Sequence, residues 1–400
     1  MSIARVSTAN MYDNTINNLG ARQSNLVDLM EKTSSGKRVV RPSDDPVAAA
    51  QAERARTRME RSENDQRVLG AQRDLMARGE SVLGTAQEAL TSFRDLILKA
   101  GNGSYDQKAR DALVQEMSSL RDQILSLANS RDLNGLPIFR GLGSQETPFL
   151  SGNAGAGSQL QSGQPAGNDS GLPIALDGYA TWLNVPTGNG VFMVTRLGSG
   201  SSTAAAGLGA VIDPGQITGD SYQILFSKDP VTQAASYSIQ SNGSTVVPST
   251  PFTPGQSISV GGMAVQFSGE PANGDSFELA PSTRTDLFSV LDKVISAVRN
   301  GAQAPGELRQ ALDHGLNELD AGSNRVAAMR SFAGDQLNRA DRLDSELKSQ
   351  ALLQEESRSR SEDLDMIKAL SEVDMQKVGM QAALQSYAQI QKLSLFNFIG

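Results

Sequence analysis

Two apolar seams of the same period sit at opposite ends of this chain, and neither has a core of its own. Near the N-terminus, Tyr12, Ile16, Leu19, Gln23, Leu26, Met30 and Thr33 alternate spacings of four and three. Near the C-terminus, Met366, Leu370, Val373, Lys377, Met380, Leu384 and Tyr387 do the same. That alternation places each set on one face of an α-helix, at the a and d positions of a coiled coil. An isolated helix of this length is marginal in water, so each seam needs a partner. Pairing the two ends of one chain is the economical solution. Neighbouring subunits are the other, and an amphipathic helix lying on a globular core shows similar spacing.

Charge divides what lies between the seams. Residues 146–283 hold nine acids and two bases, about 8% charged, whereas the flanks are about 26% charged and nearly balanced in sign. Eleven of the 15 prolines also fall in that middle. Dense, balanced charge suits long solvated helices with i,i+4 pairs. Sparse charge with Gly, Ser, Thr and Pro suits short strands and turns. The expected fold is therefore mainly α with a β insert. Residues 1–40 and 361–400 would pair as a terminal coiled-coil domain, 41–145 and 284–360 would form a helical rod domain of long helices, and 146–283 an outer β-rich domain.

The stretch Lys32–Ala50, "KTSSGKRVVRPSDDPVAAA", reads as a connector between helices. Gly36 suits the left-handed position that ends a helix. Pro42 keeps Arg41 out of the helical region. Asp45 before Pro46 is a helix start, an N-cap followed by Pro at the first position, and Asp44 and Asp45 both sit at the positive end of the helix dipole. The following helix runs to about Ala100, roughly 80 Å at ~1.5 Å per residue. Ser104 with Gln107 reads as a capping box for another helix, to about Ser130. "TDLFSVLDKVISAVRN" is a short amphipathic helix, and from Pro305 the pattern stays helical nearly to the end.

These residues resemble the flagellin superfamily. "TSSGKRVVRPSDDPVAAAQ" looks like its connector, and the Pro-flanked Asp-Asp is more similar to the hook-associated protein 3 family than to bulk flagellins. "RVSTANMYDNTINNL", "LANSRDLNGLPIFRG" and "LQSYAQIQKLSLFNFIG" carry the same resemblance, which covers residues 1 to about 145 and about 284 to 400. It implies a layered structural subunit of the bacterial flagellum, with the termini innermost and the β insert projecting outward. It also implies partners: other copies of the chain in an axial ring, hook-associated protein 1, flagellin, a cytosolic export chaperone and the flagellar type III export apparatus. Secretion without a cleaved signal peptide is implied as well. The N-terminal residues agree in having no apolar h-region.

Chemistry-bearing patterns are few. The chain has no cysteine and one histidine, His314, which leaves no material for a His-based metal cluster or for thiolate chemistry. His314 reads as a solvated or helix-face histidine. The Gly-x-Gly stretches complete no phosphate-binding fingerprint, and "DLDMIK" and "SRDLNG" make no EF-hand loop. A net charge of −8 gives no reason to expect nucleic acid, and no apolar run approaches the ~20 residues of a membrane span. Catalytic, cofactor and metal sites are expected to be absent. A hook–filament adaptor, a bulk filament subunit, and a ligand-binding module in the β insert are the three readings that remain.

Overall fold

A computed structural model describes residues 8–102, 105–139, 172–173, 175–198, 202–301 and 304–399. The chain forms two compact units, Met1–Val68 with Arg342–Gly400, and Leu69–Asp341. Two long helices, α2 (Pro46–Ala100) and α5 (Pro305–Glu362), contribute to both.

The first unit also holds the terminal helices α1 (Thr8–Ser35) and α6 (Met366–Ile399). They pair antiparallel as a coiled coil. The Leu364 N–H donates to the Gly36 carbonyl at 3.0 Å, and further along a Cβ at Gly379 would lie 2.8 Å from the Arg22 guanidinium. The two residue numbers sum to about 400 at both points, which is the signature of an antiparallel register. The pattern that stays helical from Pro305 nearly to the end is divided at Asp363–Asp365, close to the expected domain boundary at 360/361. Asp365 there accepts from the Ile367 and Lys368 N–H groups at 3.1 and 3.2 Å, capping α6. An Asp placed just before an apolar-periodic run is a start signal, and it outweighs the helical composition around it.

In the second unit α3 (Gln107–Ala128) and α4 (Leu287–Asn300) join α2 and α5 in a helical bundle. Met76, Leu83, Leu90 and Ile97 of α2 recur every seven residues and are fully buried. They share one core with Met117 and Ile124 of α3, Phe288, Leu291 and Val298 of α4, and Leu319 and Val326 of α5. Trp182 fills the gap beside the bundle, edge-on to Phe139 at 5.4 Å and stacked on Phe288 at 6.3 Å. The expected capping box is replaced. Ser104 lies outside the described residues, and α3 starts later because Asp106 accepts from the Ala109 N–H at 2.8 Å. Gln107 instead reaches forward to Asp111.

Among the described residues the insert builds two larger antiparallel sheets over one apolar core, with a two-stranded sheet beside them. In chain order its strands are β1 (Val185–Pro186), β2 (Phe192–Leu197), β3 (Ala205–Ala206), β4 (Ala210–Val211), β5 (Tyr222–Lys228), β6 (Ala235–Ser241), β7 (Ser244–Pro251), β8 (Ser257–Val260), β9 (Met263–Ser268), β10 (Ser276–Pro281) and β11 (Arg284–Thr285). The larger sheet has the order β2-β10-β5-β6-β7. The smaller one is β3-β9-β4 with β8 on β9, and β1 pairs β11. Tyr222, Ile224 and Phe226 alternate inward along β5, as a half-buried strand requires. Phe226 meets Phe252, Phe267 and Phe277 at 5.0–5.9 Å, so both sheets contribute to the core. The β6–β7 hairpin turns through Asn242 (φ +52°) and Gly243 (φ +79°), a pair that supplies the two positive φ angles of a tight hairpin.

Candidate assembly site

The connector folds back on itself and onto the break between α5 and α6. Gly36 takes φ +71° and ends α1. Residues 37–39 then run along 362–364. The Arg38 N–H donates to the Glu362 carbonyl at 2.7 Å, and Arg38 Nη2 donates to the Ser361 carbonyl at 2.7 Å. Pro42 and Ser43 lie in a turn closed by Asp44, whose carboxylate accepts from the Val40 and Arg41 N–H groups at 3.1 and 3.0 Å. The Arg41 N–H holds the Asp44 carboxyl below its usual pKa. Asp45 accepts from the Ala48 N–H at 3.0 Å and from Arg38 at 3.2 Å, with Pro46 as the first residue of α2. The Ala48 bond comes first in lowering the Asp45 pKa.

One buried carboxylate gathers these pieces. Glu362 receives Lys37 Nζ at 2.6 Å, Arg56 Nη2 at 2.6 and 2.7 Å on its two oxygens, and Arg358 Nη1 at 3.3 Å. Its side chain is 9% exposed. Burial alone pushes its pKa up, but the hydrogen bonds from Lys37 and Arg56 prevail and hold it below the ordinary value. Arg358 also bonds Glu355 at 2.7 Å and Asp363 at 3.2 Å, and the Glu355 bond leads in raising its pKa. Charge-assisted contacts of this length are the strong ones. The hub thus fastens the connector, α2 and the C-terminal end of α5 at one point. Sequence reasoning missed all four of its residues. "SRSRSEDLD" reads as a solvated mixed-charge face because the contacts span some 300 residues.

The terminal pair buries one face and exposes another. Ala369 and Val373 are buried, while Leu19, Leu26, Leu29, Met380, Ala383 and Tyr387 are half-buried. Ile16, Met30, Met366, Leu370 and Leu384 are 41–52% exposed. The Tyr12 side chain lies outside the described residues. Val27, Ile367, Met375 and Val378, which the seam pattern did not include, are exposed by 60–85%. Large apolar side chains therefore stand exposed along this helix pair.

A second set of polar contacts ties α5 to the insert. Gln310 donates to the Val194 carbonyl at 2.9 Å, Asn317 to the Gly188 carbonyl, and Glu318 accepts from the Gly188 N–H at 3.0 Å. His314 stands in the same row, so that of the two expected readings, solvated or helix-face, it takes the helix-face one. It is half-buried, its Nε2 is enclosed, and burial first of all pushes its pKa down against the pull of Glu318. Helix α4 lies so close to α5 that a Cβ at Gly315 would sit 2.3 Å from Val294, and one at Gly322 2.6 Å from Leu287. Beside this row an open cleft of about 960 Å³ runs between β2, α4 and α5. Among the described residues no cluster of His, Cys, Asp or Glu is arranged to hold a metal ion, and no helix is long and apolar enough to cross a membrane.

Known proteins share this architecture. Residues 6–144 match the bacterial flagellin N-terminal helical region. Flagellar hook-associated protein 3 of Salmonella typhimurium is 26% identical over 98% of both chains. The first third of the chain is thus similar to flagellins, and the likeness to hook-associated protein 3 runs over nearly its whole length. Flagellin of Bacillus subtilis is 31% identical, but over 32% of this chain and 43% of its own length. A solved structure of flagellar hook-associated protein 3 from Legionella pneumophila superposes with a TM-score of 0.68 at 22% identity, covering 77% of this chain and 98% of that one, which establishes a common fold.

Proposed function

We propose that this chain is a structural adaptor of the bacterial flagellum that joins hook to filament by axial assembly. One observation carries the reading: the similarity to hook-associated protein 3 covers 98% of both chains and so includes the β insert, whereas the similarity to Bacillus subtilis flagellin covers 32% of this chain. The apolar side chains left exposed on the paired terminal helices supply a surface for like subunits, and the connector hub fixes the point from which those helices depart. The seam residues Ile16, Leu19, Leu26, Met30, Met366, Leu370, Val373, Met380, Leu384 and Tyr387, with Tyr12, form the assembly surface in this proposal. Residues 1–40 and 361–400 act as its terminal coiled-coil domain, 41–145 and 284–360 as its rod, and 146–283 as the outward-facing domain.

The subunit works outside the cell and reaches its place through the flagellar type III export apparatus, held beforehand by a cytosolic chaperone. It then contacts copies of itself, hook-associated protein 1 on one side and flagellin on the other. It is a structural protein with no catalytic step. Deletion of the gene tests this. The deletion strain is expected to grow hooks, shed unpolymerised flagellin into the medium and lose motility. A deletion strain that builds full filaments and swims would overturn the reading.

A further inference from the structure

Where α2 lies in the first unit it buries one row of side chains and carries charge of opposite sign on either side of that row. Ala48, Ala52, Ala55 and Ser62 are buried and Met59 and Gln66 half-buried, at the 4-3 spacing of a helical seam. Arg54, Arg58 and Arg61 follow one another at spacings of four and three along one flank. Glu53, Glu60 and Glu63, at spacings of seven and three, run along the other. All six are exposed. Glu53 reaches Arg56 only at 3.8 Å, while Arg56 itself is drawn to Glu362. Among the described residues the other five have no ion pair and no side-chain hydrogen bond. The pattern ends at Asp65 and Arg67, where the signs reverse.

This segregation needs a cause outside the chain. A helix that neutralises itself alternates acids and bases at i,i+4, whereas like charges at that spacing cost it stability. Arg54 and Arg58 stand at i,i+4, with Arg61 next in the row, and among the described residues none of the three has an ion pair, Asp65 four residues after Arg61 included. A subunit repeated around an axis meets its two neighbours through different patches, one on each side. Two flanks of opposite charge on either side of a buried row are what such a head-to-tail contact requires, and complementary charge sets register and partner choice. We propose that the Arg54–Arg58–Arg61 flank of one copy docks against the Glu53–Glu60–Glu63 flank of the next copy in the axial array. This rests on the assembly reading above.

The chain has no cysteine, so single thiols report on the contact directly. Arg58→Cys and Glu60→Cys chains, each with a different epitope tag, are co-expressed in the deletion strain. Isolated flagella are then treated with a short bismaleimide crosslinker. A crosslinked dimer carrying both tags is expected, and none from either variant expressed alone. Flagella that contain both chains but give no mixed dimer would overturn the docking while leaving the axial role intact. Absence of the wild-type chain from isolated flagella would overturn the axial role, and the docking with it. A second measurement removes any doubt over folding. Reversal of the three arginines to Glu is expected to abolish motility, and further reversal of Glu53, Glu60 and Glu63 to Arg to restore it. Normal swimming by the triple reversal, or no recovery in the sixfold one, would overturn the proposal.

Discussion

Glu362→Ala is the perturbation that reads most directly on how the two ends of the chain are held. It removes the one carboxylate shared by Lys37, Arg56 and Arg358. Breaking a fully buried ion pair by deleting one partner costs ~3–5 kcal/mol. Here the side chains of Lys37 and Arg56 are 39% and 40% exposed, so they rehydrate once released, and exposed pairs contribute only about 0–1 kcal/mol each. A loss of about 2–3 kcal/mol follows, equivalent to a Tm lowered by roughly 5–10 °C. The pH dependence has a definite sign. The folded pKa of Glu362 lies below its reference of 4.5, so the hub's contribution is present above pH 4.5 and is lost as pH falls through the lower folded value. The variant's Tm should therefore fall less steeply below pH 4.5 than that of the wild type. Hydrogen exchange on the full chain gives the local readout, because the Arg38 and Leu364 amides donate across the connector. Both should lose protection in Glu362→Ala, with Glu362→Gln intermediate. Unchanged Tm and unchanged protection at Arg38 and Leu364 would refute the hub's role.

Leu384→Asp is expected to leave the thermal transition of the free chain nearly unmoved, because Leu384 is already 46% exposed, yet to abolish joining of hook and filament; motility and secreted flagellin report it. Gly315→Leu places a branched side chain where even a Cβ meets Val294 at 2.3 Å, and should cost ~1–3 kcal/mol in thermal unfolding. His314, being the only histidine, gives a single imidazole signal by NMR that should titrate below 6.5; stability should fall as pH drops through 6.5, where the unfolded chain takes up the proton first, and Asn or Gln at 314 should flatten that part of the curve.

Local signals in the sequence locate the elements well where one residue decides them. Gly36 ends α1, and Asp45 with Pro46 starts α2, each acting through its own backbone and its nearest neighbours. The drop in charge over residues 146–283 reads as strands because solvated faces there are Ser and Thr rather than Lys and Glu. What fails is long range. The hub joins residue 37 to 362 and residue 56 to 362, and no periodicity within "SRSRSEDLD" distinguishes an inward Glu362 from its solvated neighbours. His314 stays open between its two readings for the same reason. Its helix looks acidic and exposed until β2 and β3 are laid against it. The α6 cap was within reach, since Asp365 precedes an apolar run, but the surrounding composition favours helix throughout.

Immunogold labelling of intact flagella carrying an epitope-tagged copy of this chain tests the central claim most directly. The proposed role requires label confined to the point where hook meets filament. Label spread along the whole filament, as for a bulk subunit, would contradict it, and so would flagella that assemble fully with no label anywhere.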